Sequence, residues 1–283
     1  VEFLQKEGFE MTDRMKEILE NVHRFHVDNL AYVNFGLEQE TVYDALVVAP
    51  SYSPDKILKD ARFQVTELGS RSYCTGFLVE KDGLKIAWIK TAAGGCNMLD
   101  YLLICGELYF QKLIFIGAVG ALKPEFQIGE ICTPSYSIAG TLANTYLKKS
   151  LRDYVPFEKV YPAPDFVRQV LELAEDKGIP VRQASVFCTD SIVMEYTHLE
   201  EIRAFGTDLI EMETATFYEI GRLMEVPSIA LLVVSDNSAT GVPLVGRDEQ
   251  TERVYQHARS VLLPQLIESI VRKIPSGGSE GGR

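Results

Sequence analysis

The strongest constraint on the fold is a set of short runs that are apolar at nearly every position. Tyr43-Asp44-Ala45-Leu46-Val47-Val48-Ala49-Pro50, Lys112-Leu113-Ile114-Phe115-Ile116-Gly117-Ala118-Val119 and Ser228-Ile229-Ala230-Leu231-Leu232-Val233-Val234-Ser235 do not alternate with polar residues. A strand with no polar side must be covered on both faces, which implies a sheet between two layers of helices. The intervening segments supply those helices. Residues 12–28 carry Met15, Ile18, Leu19 and Val22 on one face behind a Thr12 cap, and residues 164–178 carry Phe166, Val170, Leu173 and Ala174. Further helices are expected at 54–62, 96–110, 213–225 and 248–272, and further strands at 71–79, 84–91, 130–133, 181–188 and 208–212. The alternation predicts a single-domain α/β three-layer sandwich with a mixed, mostly parallel central sheet. Residues 1–40 read as an N-terminal helical extension, 41–274 as the domain, and the glycine-rich stretch 275–283 as a disordered tail.

Charge narrows the function. Among 283 residues, 28 Lys and Arg face 40 Asp and Glu, a net charge of −12. Such a surface repels polynucleotides and anionic membranes, so neither is an expected partner. The five cysteines, Cys74, Cys96, Cys105, Cys132 and Cys188, are odd in number and contain no Cys-x-x-Cys pair. They read as reduced thiols of a cytoplasmic protein. No apolar run approaches the ~18 residues of a membrane span, and the start, Val1 to Glu7, lacks the basic and apolar regions of a signal peptide. His23 and His26 stand three apart on the first helix, but without a third ligand they read as a helix face rather than a metal site.

In α/β sheets, ligands sit beyond the carboxyl ends of the strands. Lys56 lies in the first turn of the helix after strand 42–49, a plausible anion site. Thr91-Ala92-Ala93-Gly94-Gly95 and Gly117-Ala118-Val119-Gly120-Ala121-Leu122 are small-residue turns that admit close approach of backbone to a ligand, and neither is a nucleotide-cofactor fingerprint. Glu211-Met212-Glu213 follows strand 208–212, and a carboxylate there is a natural acceptor for two ribose hydroxyls. Asp236 ends strand 228–235, where partial burial would raise its pKa and suit it to proton donation.

In this order, the segments resemble the nucleoside phosphorylase superfamily of purine nucleoside and uridine phosphorylases and methylthioadenosine/adenosylhomocysteine nucleosidases. The resemblance covers about residues 42–272. It is carried by Ile210-Glu211-Met212-Glu213-Thr214-Ala215, the strand ending in Ser235-Asp236, the turn 117–122, and Phe187-Cys188-Thr189-Asp190-Ser191-Ile192. It implies that Glu213, with Glu211 and Met212, binds the ribose, that Ile192 lies along the base, and that Asp236 serves the leaving purine, assisted by Arg253. Lys56, Arg71 and Gly117 would hold phosphate, with Arg71 reaching a neighbouring subunit. A homo-oligomer, either a dimer or a trimer of dimers, is therefore implied. No metal or organic cofactor is implied, since the leaving base is neutralised by a proton.

The phosphate site departs from the family pattern. Phe115 and Ala118 stand where an arginine and a hydroxyl residue are usual, and Lys56 replaces an arginine. Loss of a bidentate arginine removes roughly 1.5–3 kcal/mol of charge-assisted hydrogen bonding. The expectation is phosphorolytic cleavage of a nucleoside, with a purine favoured, at an atypical phosphate site. The alternatives are a nucleosidase using water and a nucleoside-binding protein with little turnover. No Gln-x-Arg pair of the uridine branch is found near 194–198, although the stretch 236–243 resembles that branch in length.

Overall fold

In the computed structural model, which describes residues 9–26, 29–58, 61–71 and 73–274, the three apolar runs lie side by side in a mixed sheet. The strands are β1 (Val42–Tyr43), β2 (Ala45–Val48), β3 (Gln64–Arg71), β4 (Cys74–Lys81), β5 (Leu84–Lys90), β6 (Tyr109–Phe110), β7 (Leu113–Ala121), β8 (Ile131–Ala139), β9 (Lys159–Val160), β10 (Val181–Cys188), β11 (Leu209–Glu211) and β12 (Ser228–Asn237). The helices are α1 (Asp13–His23), α2 (Leu30–Phe35), α3 (Pro54–Ile57), α4 (Gly95–Leu103), α5 (Pro164–Asp176), α6 (Ile192–Glu195), α7 (Leu199–Ala204), α8 (Thr214–Leu223), α9 (Glu249–His257) and α10 (Leu263–Lys273). The expected tail at 275–283 and the signal-peptide reading of residues 1–7 lie outside the described residues.

The central strands are buried on both faces because their side chains alternate between two apolar layers. Leu46 and Val48 join one cluster with Met15, Leu19, Phe35 and Phe217, whereas Val47 and Ala49 join the other with Trp88, Phe166 and Ile267. Helices therefore cover both faces, as the alternation predicts. The segment expected as an N-terminal extension lies on this core, since Met15, Leu19, Ala31 and Phe35 are all fully buried.

The sheet is mixed, with an antiparallel edge on one side and a closure on the other. The order is β11-β10-β8-β12-β7-β2-β5-β4-β3, with antiparallel pairing along β5-β4-β3 and parallel pairing of β2 with both β5 and β7. Parallel pairs join β12 to β7, β8 to β10 and β10 to β11, which leaves parallel pairing in a narrow majority, and antiparallel contacts join β8 to β9, β12 to β8 and β11 to β7. The last of these contacts pairs Leu209 with Ala121 and Ile210 with Gly120, closing β11-β10-β8-β12-β7 into a barrel-like ring. The reason is local: β11 is only three residues long and bonds β10 on one side and β7 on the other.

The expected strand 71–79 is a β3–β4 hairpin, and the long helix 248–272 is divided by a wider π-type turn at Ala258–Leu262 before Pro264. Pro264 has no N–H to continue the regular ladder. Among the described residues no helix is long and apolar enough to cross a membrane.

Candidate active site

A cavity of about 230 Å³ opens where β2, β7, β11 and β12 end. Gly117, Ile192, Glu211, Met212, Glu213 and Asp236 all line it, so six of the nine candidate residues are brought together.

A β-bulge aims Asp236. Along β7 and β12, Val234 pairs with Val119 and Asp236 with Gly120, so Ser235 is the extra residue. A bulge bends the strand and redirects the side chain beside it. The Ser235 hydroxyl donates to Asp236 Oδ1 (2.6 Å), while a Cβ on Gly120 would sit 2.8 Å from Asp236 Oδ2. Glycine at 120 is thus the space into which the carboxylate fits. Burial raises the Asp236 pKa above its ordinary value, against opposing pulls from the Ser235 hydrogen bond and the Arg247 charge.

The two glutamates of Glu211-Met212-Glu213 have different work. Glu211 accepts from Cys188 Sγ (2.8 Å), the Glu213 N–H (2.8 Å), and both the N–H (2.9 Å) and the hydroxyl (2.8 Å) of Thr214. Those N–H groups belong to the start of α8, which has no earlier carbonyl to receive them. Glu211 therefore holds the turn, rather than sharing a free binding face with Glu213. Glu213 accepts from the Gly94 N–H (2.5 Å) and borders the cavity with Met212. Burial, and then the charge of Glu211, pushes the Glu213 pKa up to about 8.

Sequence reasoning missed Glu195. It lines the cavity from the end of α6, and burial followed by the charge of Asp236 lifts its pKa to about 7. Both glutamate shifts favour the neutral acid in the folded chain. The stability contributed by Glu213 is full below its ordinary pKa of 4.5 and is lost as pH rises through about 8. Glu195 acts with the same sign over a window ending near pH 7. The melting temperature of the ligand-free protein is accordingly expected to fall between about pH 5 and 8. Calorimetry should show a shallower fall in Glu213→Gln, whose amide mimics the neutral acid. An equal fall in that variant would assign the effect elsewhere.

Three candidates do not line the cavity. Arg253 is exposed on α9 and pairs with Glu249 one turn earlier, because residues four apart share a helix face. The arginine beside Asp236 is instead Arg247, ahead of the Asp248 cap. It donates to the carbonyls of Ser235 (2.8 Å) and Leu244 (2.7 Å) and pairs with Glu252 (2.7 Å). Lys56 is exposed on α3, and Arg71 is exposed at the end of β3. Phe115 and Ala118 do line the wall, and Phe115 packs on Phe217 with ring centroids 5.5 Å apart. Among the described residues the wall contains Glu195, Glu211, Glu213 and Asp236 and no lysine or arginine.

His23 turns to Glu107 (3.0 Å), away from any joint site with the exposed His26. No group of three or more His, Cys, Asp or Glu is arranged to hold a metal among the described residues. Of the cysteines, only Cys96 is exposed.

The carboxylates gathered at the strand ends give the cavity an acidic wall. The phosphorylase superfamily model matches residues 56–268, and the chain belongs to that family of nucleoside phosphorylases and nucleosidases. Relatives include the DeoD-type purine nucleoside phosphorylase of Bacillus subtilis (strain 168), 27% identical over 181 residues, covering 62% of this chain and 74% of that protein. The DeoD-type enzyme of Geobacillus kaustophilus (strain HTA426) is 24% identical over 198 residues, covering 70% and 79%. The Campylobacter jejuni 5′-methylthioadenosine/S-adenosyl homocysteine nucleosidase shares the fold, with a TM-score of 0.62 and 18% identity over 81% of this chain and 99% of that one.

Proposed function

We propose that the cavity cleaves the N-glycosidic bond of a purine nucleoside, with water as the nucleophile its wall best accommodates. The observation that carries this reading is the acidic lining of Glu195, Glu211, Glu213 and Asp236, with no lysine or arginine beside them among the described residues. As the base departs, the sugar gains oxocarbenium character, and that positive charge draws Glu213, held towards the neutral acid in the empty cavity, to its carboxylate form. Glu213 takes the ribose hydroxyls over Met212. Asp236, with its raised pKa, is suited to giving a proton to the leaving base. No metal or organic cofactor is required by these steps.

A phosphate dianion would have to enter among these acids beside Phe115 and Ala118, whose side chains offer it no hydrogen bond. Phosphorolysis remains the second reading, supported by relatives named purine nucleoside phosphorylases. It needs a cation from outside this wall. Arg71, exposed on the β3–β4 hairpin, is the residue to supply one to a neighbouring copy. Phosphorolysis in this form therefore requires at least a dimer.

The test is base release from a purine nucleoside without phosphate and at ~10–50 mM phosphate, a range that spans weak affinities. A phosphate-independent rate with free ribose is the expected result. A rate that climbs and yields ribose 1-phosphate would establish phosphorolysis instead. No release under either condition would leave the binding role.

A further inference from the structure

Among the described non-glycine residues with a left-handed backbone, only Ser51, at φ 65°, lines the cavity. An L side chain is strained in that conformation, and such strain collects where a site needs a group in a fixed place. Ser51 follows β2, and its N–H donates to the carbonyl of Thr91 (2.9 Å), just after β5. In the same turn the Gly94 N–H donates to Glu213. The stretch from Thr91 to Gly94 therefore ties Ser51 to the carboxylate that takes the ribose hydroxyls.

The other hydroxyls of the wall are committed. That of Tyr52 bonds the Tyr255 hydroxyl (3.1 Å), and that of Ser235 bonds Asp236. The Ser51 hydroxyl has no hydrogen-bond partner among the described residues. The hydroxyl of its anchor, Thr91, is buried and likewise without a partner there. Buried polar groups in this condition mark places for ordered water. Around Ser51 the wall is formed by Pro50, Ala93, Phe115 and Ala118, whose side chains offer a water nothing.

The strand order β12-β7-β2 sets Asp236 and Ser51 on opposite sides of β7, and all three strands run parallel. Two strand spacings separate them by about 10 Å. Glu195, whose pKa is raised in part by the Asp236 charge, belongs to the Asp236 side. We propose that the Ser51 hydroxyl holds the attacking water on the face of the sugar opposite the departing base. The proposal rests on the hydrolytic reading above and names the group that places its nucleophile.

The glycosidic C–N bond breaks with its electron pair on the base nitrogen, and the base takes the proton of Asp236. The water oxygen bonds the anomeric carbon while donating a hydrogen bond to Ser51 Oγ. One water proton then leaves to solvent past Ser51, which is exposed, and solvent returns a proton to Asp236. The products are free ribose and neutral base.

Steady-state base release from a purine nucleoside without phosphate tests this in three variants of the full chain. Glycine suits φ 65° better than serine, so the melting temperature of Ser51→Gly should not fall. Its kcat should nevertheless drop about 10-fold to 100-fold, as for a misplaced reactant, with KM within about twofold. Ser51→Ala should lose as much. Ser51→Asn tolerates the left-handed backbone and keeps an acceptor oxygen, so it should recover most of the rate. Magnetic resonance of the first ribose formed from a β-nucleoside should show the α-anomer, the product of attack opposite the base. A kcat in Ser51→Gly within about twofold of the unmutated value would overturn the assignment alone. So would a β-anomer, or a Ser51→Asn rate no higher than that of Ser51→Ala. If the unmutated protein releases no base, or yields only ribose 1-phosphate and only with phosphate, the hydrolytic reading fails and the Ser51 assignment fails with it.

Discussion

Asp236→Asn is expected to slow base release from a purine nucleoside by about 10²-fold to 10⁴-fold, the usual contribution of a positioned general acid. At about 1.4 kcal/mol per factor of ten, that is a loss of roughly 3–5 kcal/mol of transition-state stabilisation. The substitution is nearly isosteric. The bulge at Ser235 and the gap at Gly120 should accept the amide, leaving proton donation as the function removed. A ribosyl substrate whose leaving group needs no protonation separates chemistry from misfolding. Its cleavage should fall far less than that of the purine nucleoside. Equal losses on both substrates would show that Asp236 holds the site together without acting as an acid, and unchanged turnover would remove it from the reaction.

The second large effect is expected on stability. Glu211→Ala removes the acceptor of the Glu213 and Thr214 N–H groups, and one partner each of the Cys188 thiol and the Thr214 hydroxyl, which keeps Ser137 (2.7 Å), at a largely buried turn. Each stranded buried donor costs about 1–3 kcal/mol, so a loss of at least about 3 kcal/mol is expected even if some donors find new partners. For a chain of this size that corresponds to a fall of at least about 5 °C in melting temperature. Glu211→Gln keeps an acceptor but brings an NH₂ against these donors, so it should fall in between. A fall of under about 1 °C in the alanine variant would return Glu211 to the role read from sequence, a ribose ligand beside Glu213.

What the sequence displayed was local. Strands such as β12 announce themselves because every position is apolar, and the acids at their ends, Glu213 and Asp236, are conspicuous against that run. The position of Arg253 was misleading for a reason of periodicity. Four residues after Glu249, it belongs to the solvent face of α9. Asp248 accepts from the Thr251 N–H and so marks the helix start, which leaves Arg247 outside the helix and free to turn back towards Ser235. That cap was a readable signal. Glu195 had a weaker one, a single acid within an apolar tetrad, and its importance depends on Asp236 arriving from 41 residues further on. The closure of β11 onto β7 had no local signature, because a three-residue strand carries too little pattern to declare its partners.

That ring also sets the order in which the protein can become itself during synthesis. β12 is inserted between β7 and β8, and it brings Asp236 with it. A nascent chain that has emerged only as far as α8 contains Glu213, β2 and β11, yet β7 still lacks β12. The acid that would complete the site and the strand that would complete the ring emerge together, after β7, β8, β10 and β11. Domains fold as units once their long-range partners are present. A chain stopped before β12 would leave β7 and β8 unjoined at that seam, and Asp236 reaches the cavity only with that strand.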